Sequence, residues 1–257
     1  MLLAINANNT NTVFAVWDGA RLAGAWRAAT DTRRTADEYV VWLDHLMALG
    51  GLSRRQVSGA VIASVVPEAN FNLVRFCRDY CHSDPLVVGD PAVKTGVSAL
   101  VDRPEEVGAD RIVNTLAAHD RYKGPLIVVD FGTATTFDVV DADGNYRGGV
   151  IAPGINLSLQ ALALAAAKLP SVTIGRTKTV IGTSTVACMQ SGIFWGYVGL
   201  IEGLVTRIKA EFGAAMSVVA TGGLAPLFEG TTGVIGHTDS NLTLWGLKLV
   251  YDRNHSP

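Results

Sequence analysis

The sequence has 257 residues, of which 49% are hydrophobic and 17% charged, values typical of a globular protein with a large core. This length is enough for two modest domains, each with its own buried sheet. The formal net charge of −2 excludes a general attraction to nucleic acid or anionic membranes, so an anionic ligand would need a local site.

Several other protein classes are disfavoured by the sequence. The longest apolar run, residues 159–169, is interrupted by Gln160 and Lys168 and is too short to span a bilayer. The first residues lack a basic segment, which predicts a cytoplasmic protein without a signal peptide. Cys77, Cys81 and Cys188 form no disulfide framework or zinc pattern, and we expect buried or half-buried free thiols at 77 and 81. There is no Walker A sequence and no G-x-G-x-x-G.

The first half of the chain predicts three strands followed by alternating helices and strands. Residues 2–5 and 13–17 are apolar strands around a polar turn at 6–12, and residues 21–27 form a third strand. Thr35 and Glu38 form a capping box for a helix that ends at Gly50-Gly51, and Ser53 starts a short helix. A strand at 60–66 stopped by Pro67, a helix at 70–81 and a strand at 86–88 follow. This order suits a mixed sheet with helices on its faces.

A polar segment at 108–111 precedes the helix predicted at 112–118. Pro104 and the two glutamates after it suit the first turn of another helix, because Pro fits that position and acids favour the helix dipole. Asp110 and Arg111 therefore lie near a helix start. From these residues alone, Asp110 is either a helix cap or surface ion-pair residue, or part of a functional site.

The second half repeats the plan. Residues 126–129 predict a buried strand, residues 130–136 a polar turn and residues 139–140 a returning strand. In the turn, a glycine allows close backbone approach and threonines supply donors for an anion, although an ordinary hairpin with a polar tip has the same pattern. Asp143-Gly144 predicts a hairpin, and residues 148–155 lead into a helix at 157–169.

The remaining segments are a long helix, a glycine turn and a final helix. The long helix extends through Arg207, and its glycines at helical spacing indicate close backbone packing; they are Gly192, Gly196, Gly199 and Gly203. A strand at 217–220 precedes the glycine turn at 221–225, and residues 242–253 form the last helix. We predict two similar domains, residues 1–115 and 116–257, because strand–turn–strand units occur twice.

This order of loops, two polar turns and then a glycine-rich turn, resembles the actin-like ATPase and sugar-kinase superfamily. The whole chain resembles type III pantothenate kinases, most specifically at 108–111 and 130–138; further similar segments are 6–12, 35–39, 64–67, 104–114, 148–155, 189–192 and 221–225. The resemblance implies an α/β fold of two similar actin-like (ribonuclease H-like) domains. Each domain would be a mixed sheet flanked by helices, with nucleotide in the cleft between them.

The resemblance also implies ATP-dependent phosphorylation of pantothenate to 4′-phosphopantothenate, the first step of coenzyme A biosynthesis. Asp110 matches the general base and Asp130 the ligand of a monovalent cation, potassium or ammonium, with magnesium bound to ATP. ATP contacts correspond to Asn6, Ala7, Asn8, Asn9, Thr10, Asn11, Thr12, Val13, Thr133, Gly222 and Gly223; substrate contacts correspond to Gly108, Ala109, Asp110, Arg111 and Thr185. A homodimer that uses neither nucleic acid nor a membrane is expected. The helix at 189–207, with aromatic residues among its glycines, is the candidate interface.

Some positions depart from the family pattern. The family's first loop reads Asp-x-Gly-Asn-Thr, whereas this chain has Asn6 and Asn8 in place of the Asp and the Gly. Asn6 keeps an acceptor oxygen but loses the charge that helps to hold hydrated magnesium. Val101 replaces a tyrosine, and Thr183-Ser184 replaces a Lys-Asn pair. Three functions therefore stay open: an active pantothenate kinase, a weakened nucleotide-binding regulator, and a kinase for another hydroxy acid.

Overall fold

The computed structural model describes residues 1–165, 170 and 172–255, and the chain divides into two compact units. The first unit contains Met1–Ser98, Asp102–Ala117 and Leu242–Pro257, and the second contains Ala99–Val101 and Ala118–Asn241.

The first unit is built on a five-stranded mixed sheet. Its strands are β1 (Leu2–Ala7), β2 (Asn11–Asp18), β3 (Arg21–Ala29), β4 (Gly59–Ser64) and β5 (Leu86–Val87). Their order is β3-β2-β1-β4-β5; the three strands of the meander are antiparallel, while β4 lies parallel to β1 and β5 parallel to β4. The polar turn therefore joins the central strand β1 to β2.

The second unit repeats this sheet. Its strands are β6 (Leu126–Phe131), β7 (Ala134–Val140), β8 (Tyr146–Pro153), β9 (Ser217–Thr221) and β10 (His237–Thr238). The order β8-β7-β6-β9-β10 places the antiparallel and parallel pairs as in the first sheet. The prediction of two similar mixed sheets is confirmed, and the second polar turn again follows the central strand.

Helices cover these sheets. The α-helices among the described residues are α1 (Ala36–Leu49), α2 (Pro67–Cys81), α3 (Ala109–Tyr122), α4 (Ile155–Ala165), α5 (Thr185–Phe212), α6 (Ala225–Phe228) and α7 (Leu242–His255). Short 3-10 turns occur at Arg54–Gln56 and Pro104–Glu106. The predicted capping box of α1 is confirmed, because the Glu38 N–H donates to the Thr35 hydroxyl and the Glu38 carboxylate accepts the Thr35 N–H.

Apolar residues fix which helix packs on which face. Successive side chains of a strand point to opposite faces of the sheet. One face, with Leu3 and Ile5, packs against α1 and α2. The opposite face, with Leu2, packs against α3 and α7. In the second unit, the face of β6 and β7 that carries Val129 and Phe137 packs against Phe194 of α5 and Phe228 of α6.

Some predicted bounds are corrected by the structure. The helix α7 belongs with the first unit and not with the second half of the chain, because Leu247 and Val250 share a core with Val61 of β4. The strand β4 ends at Ser64 and α2 begins at Pro67, since proline is favourable at the first helical position. The predicted helix at 157–169 begins at Ile155, and residues 166–169 lie outside the described part of the chain.

Candidate functional site

The first polar turn is held by a residue from outside it. The Asn8 N–H donates to the Asn11 carbonyl at 3.0 Å, which closes the tip between β1 and β2. Thr30, directly after β3, donates its N–H to the Thr10 carbonyl at 3.0 Å and its hydroxyl to the Asn8 carbonyl at 2.6 Å. Its hydroxyl also lies 2.9 Å from the Thr12 hydroxyl. Thr30 was not among the residues predicted for this turn, because only the pairing of β2 with β3 brings it there.

Two carboxamide oxygens of this turn are buried without a protein partner. Asn6 is only 6% exposed, and its Oδ1 and that of Asn8 accept no hydrogen bond from any described residue. An unpaired buried acceptor costs about 1–3 kcal/mol, so its presence needs an explanation such as a ligand. At the same turn Asn9 and Thr10 are exposed, Ala7 is buried in the core, and Val13 is half-buried.

Asp110 lies in the first turn of α3, against a glycine. Its carboxylate accepts the Arg111 N–H at 2.8 Å. A Cβ at Gly108 would lie 2.6 Å from Asp110 Oδ1 and 3.6 Å from Val65 Cγ1, so a larger residue at 108 would displace the carboxylate. Burial raises the pKa of Asp110 above its ordinary value, and the hydrogen bond from the Arg111 N–H partly opposes this rise.

The cap interpretation of Asp110 does not describe this geometry. The helix α3 begins at Ala109, so Asp110 is the second helical residue and its carboxylate binds its own neighbour's N–H. A half-buried carboxylate with a raised pKa at the start of a helix is a candidate proton acceptor. Ala109 and Arg111 are also half-buried.

The second polar turn, between β6 and β7, is packed against backbone. The Gly132 N–H donates to the Ala134 carbonyl at 3.0 Å, and the Gly154 N–H donates to the Thr133 carbonyl at 3.1 Å. A Cβ at Gly154 would lie 2.2 Å from the Thr133 oxygen and 2.8 Å from the Gly132 oxygen. Only glycine can approach this closely, which explains why position 154 of the family-like segment 148–155 is a glycine. Thr133 itself is exposed.

The glycine-rich turn after β9 lies directly against Asp130. In the sheet, Asp130 pairs with Thr221 of β9. Gly222 follows with φ +90°, and a Cβ there would lie 2.5 Å from Asp130 Oδ1 and 2.7 Å from the Phe131 carbonyl oxygen. Gly222 therefore packs directly against two oxygens, and only a residue without a Cβ fits there. Asp130 is half-buried, and Gly223 is exposed.

The remaining predicted residues of the second unit lie on α5 and near β8. Thr185 is the exposed first residue of α5, and the Ser184 hydroxyl caps this helix by accepting the Ala187 N–H at 3.2 Å. Val101 is half-buried, and its Cγ1 would lie 3.6 Å from a Cβ at Gly148.

The described residues give little support for a metal cluster, a cysteine site or a membrane helix. Among residues 1–165, 170 and 172–255, no group of three His, Cys, Asp or Glu residues could hold a metal ion. A cation at Asp130 would therefore rely on carbonyl oxygens as further ligands. Cys77 and Cys81 are buried thiols, as predicted, and burial raises the pKa of Cys81 to about 11. Among the helices that are described, none combines the length and apolar character needed to cross a membrane.

Comparisons with known proteins agree on one family. The family model for type III pantothenate kinase matches residues 2–207. The chain is 65% identical over 257 residues to a type III pantothenate kinase of Paramagnetospirillum magneticum, a match that covers 100% of this chain and 99% of that protein. It is 61% identical over 254 residues to one of Rhodospirillum rubrum, covering 99% of each.

Solved structures agree on the fold alone. The ethanolamine utilization protein EutJ of Carboxydothermus hydrogenoformans matches with a TM-score of 0.53 at 15% identity, covering 96% of this chain and 89% of that one. The ROK hexokinase of Thermus thermophilus matches with a TM-score of 0.51 at 14% identity, covering 97% of each. The predicted fold class of two actin-like domains is confirmed by these neighbours and by the two repeated sheets.

Proposed function

The chain belongs to the type III pantothenate kinase family, and we propose that it transfers the terminal phosphoryl group of ATP to the hydroxyl of pantothenate. The product is 4′-phosphopantothenate, and this reaction is the first step of coenzyme A biosynthesis. The observation that carries the proposal is the full-length identity to curated members, together with a carboxylate at 110 whose pKa burial raises.

Asp110 acts as the general base. The pantothenate hydroxyl oxygen forms a bond to the terminal phosphorus of ATP as the bond from that phosphorus to the bridging oxygen breaks. ADP leaves, and the hydroxyl proton passes to the Asp110 carboxylate. Because burial raises the pKa of Asp110, its carboxylate is a stronger base than an exposed one. The hydrogen bond from the Arg111 N–H fixes its orientation.

Substrate recognition follows the family positions. The Arg111 guanidinium, a planar fork of donors, suits the carboxylate of pantothenate. Gly108 and Ala109 supply close backbone approach at the start of α3, and Thr185 supplies a hydroxyl at the start of α5. The ATP contacts are the first polar turn, Thr133 and the two glycines after β9.

The oxygens beside Gly222 fit a monovalent cation. Asp130 Oδ1 and the Phe131 carbonyl oxygen both lie close to Gly222, and alkali ions prefer such oxygen ligands. Potassium or ammonium held by Asp130 would neutralise charge near the triphosphate. In the first unit, Asn6 Oδ1 and Asn8 Oδ1 are acceptors in need of donors, and they fit the water shell of magnesium bound to ATP.

The proposal also includes a cytoplasmic homodimer. On α5, Phe194 and Tyr197 pack within their own unit, but Gly192, Gly196 and Gly199 are exposed, and a Cβ at each would meet no described atom within 4 Å apart from its own helix backbone. This stripe therefore supports close packing of a second chain better than packing within its own unit. Light scattering at micromolar concentration tests this, and a mass near 27.1 kDa would contradict it. Trp195→Ala tests the helix, because a variant that stays dimeric would place the interface elsewhere.

An acceptor panel tests the function. Purified protein is incubated with ATP, magnesium, potassium and either pantothenate or one of several related hydroxy acids, and the products are identified by mass. Pantothenate should be phosphorylated fastest. The Asp110→Asn variant is the control, because it should bind ATP but form little product. If another hydroxy acid were phosphorylated faster, that acid and not pantothenate would be the preferred acceptor. ATP binding without transfer to any acceptor would instead support a regulatory relative.

A further inference from the structure

A hydrogen-bonded chain of three groups lies beneath the second polar turn. The Tyr197 hydroxyl, from α5, lies 2.7 Å from the Thr135 hydroxyl and donates to the Pro153 carbonyl oxygen at 2.5 Å. A phenol has one proton, so this donation fixes the other bond: the Thr135 hydroxyl donates to the Tyr197 oxygen. Thr135 is 1% exposed and Tyr197 is 5% exposed. These hydrogen-bonded groups are therefore shielded from water.

The partners of Tyr197 are the two strands that hold the turn. Thr135 lies in β7, two residues after Thr133, and Pro153 is the last residue of β8, directly before Gly154. In the sheet, Ala134 pairs with Pro153, and the Gly154 N–H donates to the Thr133 carbonyl at 3.1 Å. This bond makes Ala134–Pro153 a non-hydrogen-bonded pair of the ladder, so the ladder does not use the Pro153 carbonyl. Tyr197 binds it instead.

The ring and the hydroxyl of Tyr197 have separable roles. The ring belongs to the core of the second unit and stacks on Phe228, with ring centroids 5.8 Å apart. A phenylalanine would keep this packing, whereas the hydroxyl is the only link from α5 to both Thr135 and Pro153 among the hydrogen bonds of the described residues. Tyr197→Phe therefore removes the link with little change in the core.

We propose that Tyr197 is a positioning residue, whose hydroxyl holds β7 and β8 together and so presents Thr133 and the second turn to the phosphates of ATP. The inference rests on the proposed function, because it assumes that this turn binds ATP. It assigns to α5 a role in nucleotide affinity, beyond the substrate contact at its first residue. Pantothenate binding does not depend on the Tyr197 hydroxyl.

The test compares Tyr197→Phe with wild type in ATP binding, kinetics and amide exchange. Calorimetry should give an ATP Kd raised about fivefold to tenfold, which corresponds to about 1–1.4 kcal/mol. KM for ATP should rise in parallel, while KM for pantothenate stays within about twofold of wild type because the lost hydrogen bond affects only the ATP turn. The peptide that contains Gly154 should exchange its amides faster, with α5 unchanged.

Two controls separate positioning from general stability. Tyr122→Phe removes another partly buried hydroxyl of the second unit, from a ring stacked on His237, and should leave ATP Kd unchanged. Thr135→Val removes the other end of the hydrogen bond at constant volume. If Tyr197 acts through Thr135, the losses of ATP binding free energy in the two single variants should not add. The double variant should lose less than their sum.

The outcomes are distinct. An unchanged ATP Kd and unchanged exchange at Gly154 in Tyr197→Phe would overturn the inference. Faster exchange throughout α5, with equal losses in kcat and in affinity for both substrates, would also overturn it, because Tyr197 would then be only a core residue. If wild type binds ATP but phosphorylates no pantothenate, the proposed function fails, while ATP Kd and amide exchange still decide the role of Tyr197.

Discussion

The two polar turns occupy the same place in two sheets of the same strand order, yet their chemistry differs. The first turn is neutral, and Asn6 and Asn8 bury carboxamide oxygens that no described residue satisfies. The second follows Asp130 at the end of β6, and the backbone there is packed closely by Gly154 and Gly222. The same strand order therefore supports two turns of different chemistry. The second turn is packed closely by protein atoms, whereas in the first Asn6 Oδ1 and Asn8 Oδ1 have no partner among the described residues.

The difference also concerns charge. In the first unit, the carboxylate assigned to chemistry is Asp110 on α3, and the turn itself has none. In the second unit, the assigned carboxylate, Asp130, lies in β6, two residues before Gly132 of the turn. We therefore expect substitutions at these two positions to have the largest effects, and changes in the first turn to have smaller ones.

The largest effect is expected for Asp110→Asn. The amide keeps the shape of the side chain but cannot accept the proton, so kcat should fall about a hundredfold or more, the usual contribution of a general base. ATP affinity measured by calorimetry should stay as in wild type. A normal kcat would exclude Asp110 as the general base, and no residue of the first unit would then have an assigned role in proton transfer.

Asp130→Ala should have the next largest effect. Hydrogen bonds to charged groups contribute about 1.5–3 kcal/mol, and loss of a carboxylate contact of this size should lower ATP affinity about tenfold or more. The requirement for potassium should disappear at the same time, and Asn6→Ala, the matched change in the first turn, should leave it intact. Equal wild-type rates in buffers containing only potassium or only sodium would contradict a selective cation site at Asp130.

Gly154→Ala tests how closely the second turn is packed. The new Cβ would lie 2.2 Å from the Thr133 oxygen, and overpacking of this kind costs about 1–3 kcal/mol. ATP affinity and Tm should both decrease. Gly233→Ala is the matched control, because a Cβ there would meet no described atom within 4 Å. Similar behaviour of both variants would mean that the turn tolerates displacement.

Asn6→Asp sharpens the comparison, because it restores a charge to the first turn. The magnesium concentration for half-maximal rate should decrease about twofold to fivefold, because a carboxylate accepts hydrogen bonds from the water shell of magnesium more strongly than a carboxamide, by about 0.5–1 kcal/mol. The maximal rate should be equal or higher. A large loss of activity would show that the first turn has been rebuilt around neutral residues.

The smallest expected effect is on stability. Because the folded-state pKa of Asp110 is raised, wild type loses stability as pH rises from about 3.8, the ordinary value, through the folded-state pKa. Asp110→Asn has no such loss. The variant should therefore unfold at higher denaturant concentration than wild type at neutral pH, and the difference should shrink on acidification. A constant difference across pH would contradict the assigned pKa shift.

The sequence predicted the features that depend on local pattern. Short apolar runs predicted β1, β2 and β6, and the Thr35–Glu38 capping box correctly predicted the start of α1. Features that depend on distant contacts were missed. Thr30 reaches the first turn only through the pairing of β3, and Tyr197 reaches Thr135 only through the packing of α5. The membership of α7 in the first unit follows from burial against β4, which no local pattern contains.

The most direct test of the account compares wild type with Asn6→Asp at saturating ATP, magnesium and potassium, with phosphorylated pantothenate followed over time by mass spectrometry. We predict that wild type forms the product, at a rate within about fivefold of the variant, because magnesium saturation offsets the missing charge of roughly 1 kcal/mol. If only Asn6→Asp formed phosphorylated pantothenate, the neutral first turn would have abolished the reaction and wild type would not be a kinase.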